Sequence, residues 1–175
     1  MEIKLRIHTW PEKILRTKCK DVKEVDDNIR NFLDQMYRLM RVADGIGLAA
    51  NQAGLDLNLI VVQHQDQVYK LINPKIIKRK GKITFLEGCL SFPALEIEVK
   101  RANKVRVAAL NEKREAVDIE AEGILAVVLQ HEIDHISGIV FIDRIPFWKR
   151  IKIKSQLKKI KKQTHDKVQK IKTDE

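Results

Sequence analysis

The chain has 175 residues, 44% of them hydrophobic and 33% charged, with 7 Gly, 4 Pro and a formal net charge of +10. That composition supplies one packed domain and excludes collagen-like and low-complexity classes. Its longest apolar runs, such as Ile124 to Leu129, fall far short of the roughly 20 residues that cross a bilayer, and Met1 to Arg6 lacks the apolar stretch of a secretory signal. The two cysteines, Cys19 and Cys89, cannot build a disulfide framework, and the expected compartment is a reducing cytoplasm.

The first periodic segment lies between Asp26 and Gly45. Ile29, Phe32, Leu33, Met36, Tyr37 and Met40 recur at spacings of three and four, which predicts an amphipathic helix with a core-facing stripe. Asp26 and Asp27 stand where an N-cap belongs, and Gly45 where the helix stops. From Leu55 to about Glu120 the pattern changes to short β-rich runs: Leu59–Val62, Val68–Ile72, Ile83–Leu86, Lys104–Leu110 and Ala116–Ile119. Turn-prone residues such as Asn73-Pro74 and Gly81 separate them, and strands so closely spaced favour antiparallel pairing. Gly123 to Ser137 reads as an apolar helix ending near Gly138, and a last helix begins around Pro146. With no repeat or linker, residues 1–148 form the expected catalytic domain, and residues 149–175 a basic helix and tail continuous with it.

That tail carries the charge. From Lys149 to Lys172 it holds eleven Lys and Arg against the single acid Asp166, while Leu157, Ile160, Val168 and Ile171 keep an apolar stripe. A solvated helix face and an arm touching RNA or another polyanion are equally good readings. No aromatic residue follows Lys149, so base stacking and sequence-specific nucleic-acid recognition are not expected.

The strongest chemical signal is His131-Glu132-Ile133-Asp134-His135. On a helix, residues four apart share one face, so both imidazoles reach one cation while Glu132 stands beside it to move protons, as in zinc hydrolases. A third ligand decides the class. The spacing that would supply a third His in metzincins places Phe141 there. The later acids, Asp143, Asp166, Asp174 and Glu175, sit too near or in the tail. Upstream, Glu87-Gly88-Cys89-Leu90-Ser91 offers Cys89, whose thiolate suits a borderline-soft divalent ion. One Cys and two His leave a fourth position for water, the design of a catalytic site. Cys19 is read as structural, and His8, His64 and His165 lack ligand spacing.

Gly45-Ile46-Gly47-Leu48-Ala49-Ala50-Asn51-Gln52, Glu87-Gly88-Cys89-Leu90-Ser91 and Gln130-His131-Glu132-Ile133-Asp134-His135 resemble, in order, the three signature motifs of bacterial peptide deformylases. The resemblance implies removal of the N-formyl group from formyl-methionine on nascent chains, with release of formate. It implies an α+β fold, with antiparallel strands packed around a central helix carrying the H-E-x-x-H motif and a C-terminal helix. One divalent metal ion is implied, Fe(II) in the cell, with zinc, nickel or cobalt accepted in purified protein.

The same resemblance assigns roles. Glu132 passes a proton from water to the leaving amine. The Gln52 side-chain amide and the Leu90 backbone N–H donate to the oxyanion. Gly45, Ile46 and Gly47 admit an extended peptide, although the glycines could equally close the preceding helix. Ile124, Val127 and Val128 share the helix face of His131, as a methionine-pocket wall or as plain core. Glu87 and Asp134 orient ligands or link the motifs, with Arg101 an ion partner for one of them. One departure stands out: Glu96 occupies a position where some family members carry an arginine that holds the peptide, so recognition beyond the methionine is expected to differ. The basic tail resembles the helix that in some members docks on the ribosome. A metallopeptidase with a Cys/His/His site and a small RNA-binding protein with a structural metal remain the alternatives.

Overall fold

The computed structural model describes residues 5–173. Met1 to Lys4, Asp174 and Glu175 lie outside the described residues, as do the side chains of residues 171–173, so the readings placed on those residues and on the Ile171 stripe position lie there too.

Among the described residues, seven strands form two antiparallel sheets. β1 (Gly47–Ala49), β2 (Leu59–His64), β3 (Gln67–Lys80), β6 (Lys104–Leu110) and β7 (Ala116–Glu122) pair in the order β1-β2-β3-β6-β7, and β4 (Ile83–Gly88) pairs with β5 (Glu96–Arg101). Residues on a strand alternate between faces, and β2 uses both. Leu59 and Val61 pack against α1 (Asp27–Val42) through Leu33, Met36 and Met40. Ile60 and Val62 pack against α2 (Ile124–Ile136) through Leu125, Ala126, Val128 and Leu129. A third cluster, with Phe92, Leu95, Ile97, Val99, Phe141 and Ile160, joins the small sheet to the C-terminal segment. α2 is buried along almost its whole surface, which is why its sequence is apolar all round rather than striped.

The antiparallel α+β architecture agrees with expectation; several details do not. Asp26 caps α1 as predicted, accepting a 2.9 Å hydrogen bond from the Ile29 N–H. The helix ends at Val42, however, and it is Asp44, at φ 56°, that takes the left-handed turn, not Gly45. Asn73-Pro74 does not break a strand. Pro74 has no N–H for the ladder, and β3 carries it across a register shift between Ile72 and Lys75. There the Asn73 side chain pairs with both backbone groups of Val22 at 2.8 Å. The final helix is two: α3 (Phe147–Lys152), with Pro146 as its N-cap, and α4 (Lys154–Thr173), separated at Ile153.

Candidate metal centre

α2 projects His131 and His135 from one face, one turn apart, and the tight turn after β4 brings Cys89 against them. The ligand atoms of the three residues all lie within 4.8 Å of one another. His135 Nε2 is 3.2 Å from both Cys89 Sγ and His131 Nε2. Donors bonded to one small cation at about 2.0–2.3 Å must sit roughly this close together, so the set fits a divalent transition-metal ion.

The surroundings fix the donors. His131 Nδ1 donates to Glu87 at 2.8 Å, which turns its Nε2 toward Cys89 and His135. Asn51 Nδ2 donates to the His135 carbonyl oxygen, tying the end of α2 to the turn after β1. Burial disfavours the charged form of both imidazoles. At His131 the contacts with Cys89 and Glu87 outweigh it and hold the ring well above its ordinary pKa, while burial and the His131 charge push His135 well below. With its Nδ1 proton held by Glu87, His131 binds a cation through Nε2 only by giving up the proton there, so metal binding at this site is expected to release a proton.

Behind these donors lies an ion network buried between β4, β5 and α2. Arg101 meets Glu87 through two hydrogen bonds, Nε to Oε1 at 2.8 Å and Nη2 to Oε2 at 3.0 Å, and its Nη1 donates to Asp134. The open question of which acid Arg101 pairs with is answered by both. Arg144 adds a second cation on Asp134, with Nε donating at 2.9 Å.

Glu132 stands beside the cluster with a buried Oε2 that has no hydrogen-bond partner among the described residues. Burial raises its pKa to about 7, near the value at which a carboxyl group can both take and give a proton at neutral pH. A Cβ on Gly47 would run into the Glu132 carboxylate, and one on Gly45 would approach the Leu90 side chain to 2.7 Å. Close packing against the site explains Gly47, whereas Gly45 also closes α1, its N–H donating to Met40 O at 2.9 Å.

Gln52 is oriented at both ends. Its Oε1 accepts from the Ala49 N–H at 2.9 Å, which turns Nε2 toward Ser91 Oγ at 3.1 Å and Cys89 Sγ at 3.5 Å. The turn Cys89–Phe92 is closed by Phe92 N–H to Cys89 O at 2.8 Å. The Leu90 N–H, at the second position, takes no part in that closure. A cleft of about 660 Å³ opens over these groups, lined among others by Gly45, Ile46, Gly47, Gln52, Leu86, Cys89, Leu90, Val127, Val128 and Glu132. Ile124 is not brought there. It sits in the first turn of α2, 45% exposed, and the helix has left the cleft by then. Sequence reasoning gave no individual role to Asn51 and Ser91, although both lie in the signature motifs, nor to Arg144 or the apolar wall residue Leu86.

Residues 4–151 match the family described as polypeptide deformylase. The chain belongs to that family. A peptide deformylase of Helicobacter pylori strain J99 is 42% identical over 170 residues, covering 92% of this chain and 98% of that protein. The crystal structure of peptide deformylase from Thermus thermophilus superposes with a TM-score of 0.85 at 36% identity, covering 90% of this chain and 98% of that one. A structure of Arabidopsis thaliana peptide deformylase 1B in complex with an inhibitor gives 0.87 at 35% identity, covering 93% of each chain. The chain thus belongs to a family of hydrolases, and no helix among the described residues is long and apolar enough to cross a membrane.

Proposed function

We propose that this chain binds the formyl-methionine end of a nascent polypeptide in the cleft and hydrolyses the formyl amide, releasing formate and a free α-amine. The observation that carries the reading is the cluster of Cys89, His131 and His135, with the buried Glu132 carboxyl beside it, at the floor of an apolar cleft. A divalent cation held by those three residues would supply Lewis acidity and lower the pKa of a water. Fe(II) is the ion proposed for the cell, with zinc, nickel or cobalt suited to the same thiolate and imidazoles.

The chain's own groups do the rest. Glu132 takes the proton of the attacking water and delivers it to the amide nitrogen as the C–N bond breaks, so each turnover returns the carboxyl to its starting state. Gln52 Nε2 and the Leu90 N–H donate to the formyl oxygen as it gains charge. β1 is the edge of the large sheet, and β4 pairs only with β5. Their free edges supply main-chain partners for an extended peptide running past Gly45-Ile46-Gly47. Ile46, Leu86, Val127 and Val128 form the apolar wall for the methionine side chain.

The test is a formate-release assay on formyl-Met-Ala peptides with metal quantitation, alongside mass analysis of the products. Loss of the formyl group alone, with the chain intact, is the expected result. Internal cleavage would support the metallopeptidase reading instead.

Residues 149–173 are read as one unit with the catalytic body, because Ile160 and Thr164 of α4 are buried against it. The exposed Lys face of α4 is proposed to dock on ribosomal RNA phosphates in the cytoplasm, where nascent chains emerge. Replacing Lys158, Lys161 and Lys162 together by Glu is expected to abolish cosedimentation with ribosomes at low salt while formate release from a short peptide persists. Unchanged cosedimentation would remove the ribosome proposal.

A further inference from the structure

α4 does more than carry charge away from the body. Ile160 packs with Leu15, Phe92 and Phe141. One turn later the buried Thr164 hydroxyl donates to the Trp10 carbonyl oxygen at 2.8 Å and shares a 2.9 Å hydrogen bond with the Thr9 hydroxyl. Trp10 in turn donates its backbone N–H to Ser91 O at 2.9 Å, and its ring stacks on Phe92 with centroids 6.1 Å apart. The segment Ile7–Trp10 is therefore clamped between α4 and the turn that carries Cys89.

Lys167 lies three residues beyond Thr164, on the same helical face. It lines the cleft together with Ile7 and Thr9. Its ammonium is also close enough to act on His8, whose pKa is lowered first by burial and further by nearby cations, Lys167 among them. Glu87 and Glu132 lie deep at the floor. The other charges lining the cleft are Asp44, beyond α1, and Glu96, at the start of β5. The mouth thus carries one cation, on the wall built by α4 and Ile7–Thr9, and two acids, Asp44 and Glu96.

We infer that Lys167 is a specificity-determining residue of the cleft, recognising a carboxylate on the second or third residue of the formylated peptide. This rests on the deformylase reading and extends it: the C-terminal helix supplies part of the peptide-binding surface. An exposed ion pair of this kind contributes modestly and is screened by salt.

The experiment uses the full-length, metal-loaded protein and three C-terminally amidated peptides, formyl-Met-Ala-Glu, formyl-Met-Ala-Ala and formyl-Met-Ala-Lys, with the matching set charged at the second residue. The readout is the ratio of kcat/KM between acidic and basic peptides, so any general loss cancels. The expected ratio in the wild type exceeds one by about two- to five-fold, carried by KM, and it collapses near 1 M salt, where the Debye length is about 3 Å. K167E reverses the preference and K167R keeps it; Lys167 is exposed, so neither change disturbs the core. Equal ratios in wild type and K167E overturn the inference while leaving deformylation standing. Absence of formate from every peptide overturns the deformylase reading and this inference with it.

Discussion

Replacing Glu132 with Gln is expected to leave the metal in place and to cut formate release by about 10²- to 10⁴-fold, the range over which a positioned general acid–base group contributes. The amide has almost the shape of the carboxyl, so Gly47 still packs against it. Cys89, His131 and His135 keep their ligand atoms together through contacts that do not involve residue 132. What disappears is a group able to accept a proton. Because Glu132 Oε2 is buried without a partner among the described residues, no neighbouring carboxylate or imidazole takes over the transfer. The measurement is metal content per chain beside kcat for formyl-Met-Ala hydrolysis. Full metal with kcat within about three-fold of wild type would contradict the proton-transfer role, since such a residue is worth at least about a hundred-fold. Loss of metal from the variant would instead place Glu132 among the groups that hold the site together.

The elements with a clear period were readable. α1 announces itself through Ile29, Leu33, Met36 and Met40 and through the Asp26 cap, because a helix on a sheet must show a 3.6-residue stripe. β5 carries a weaker signal: Ile97 and Val99 alternate with Glu96, Glu98 and Lys100, but two apolar positions are too few to set a period on their own. β1 left no signal; three residues beginning with glycine cannot display a period. The site divides in the same way. His131 and His135 are brought together by one helix, so their spacing suffices. Cys89 reaches them through pairings that span more than forty residues, and only the chemistry of its thiolate pointed to it. Glycine at position 47 could be flagged as permissive, yet its reason, the carboxylate of a residue 85 positions later, is tertiary. Ile124 shows the converse error: a correct helical phase with His131, extended one turn beyond the end of the cleft. Lys167 stood within a charge run that predicted only a basic face. Its place at the cleft depends on the buried Thr164, a polar residue in a polar stretch with no local mark of burial.

Arg101→Met is the substitution expected to cost the most stability. Arg101 is 7% exposed and lies between Glu87, 4% exposed, and Asp134, 8% exposed. Methionine fills much of the same space but leaves two buried carboxylates facing an apolar side chain. Removing one partner of a buried ion pair destabilises by about 3–5 kcal/mol, which lowers the melting temperature of a chain this long by roughly 6–20 °C. The loss is uneven. Asp134 retains Arg144, whereas Glu87 retains only His131. Burial pushes the Glu87 pKa up, and hydrogen bonds from His131 and Arg101 together hold it below the ordinary carboxylate value. In the wild type, therefore, Glu87 contributes stability above the ordinary carboxylate pKa, and that contribution is lost as pH falls through the depressed folded value. In the variant the folded pKa rises, so protonation relieves the buried charge and the deficit in melting temperature narrows as pH falls from 7 toward 5. Metal retention falls as well, because a Glu87 that carries a proton no longer accepts from His131 Nδ1 and fixes the ring; such supporting contacts are worth about 10- to 100-fold in affinity. Arg101→Lys keeps a charge but cannot reach both acids at once, and its deficit is expected to lie between the two. Thermal unfolding of the three proteins at pH 7 and pH 5, with metal content measured on the same samples, decides the matter. A melting temperature for Arg101→Met within about 2 °C of wild type at pH 7, equivalent to less than about 1 kcal/mol, would mean that the network positions the donors without holding the fold.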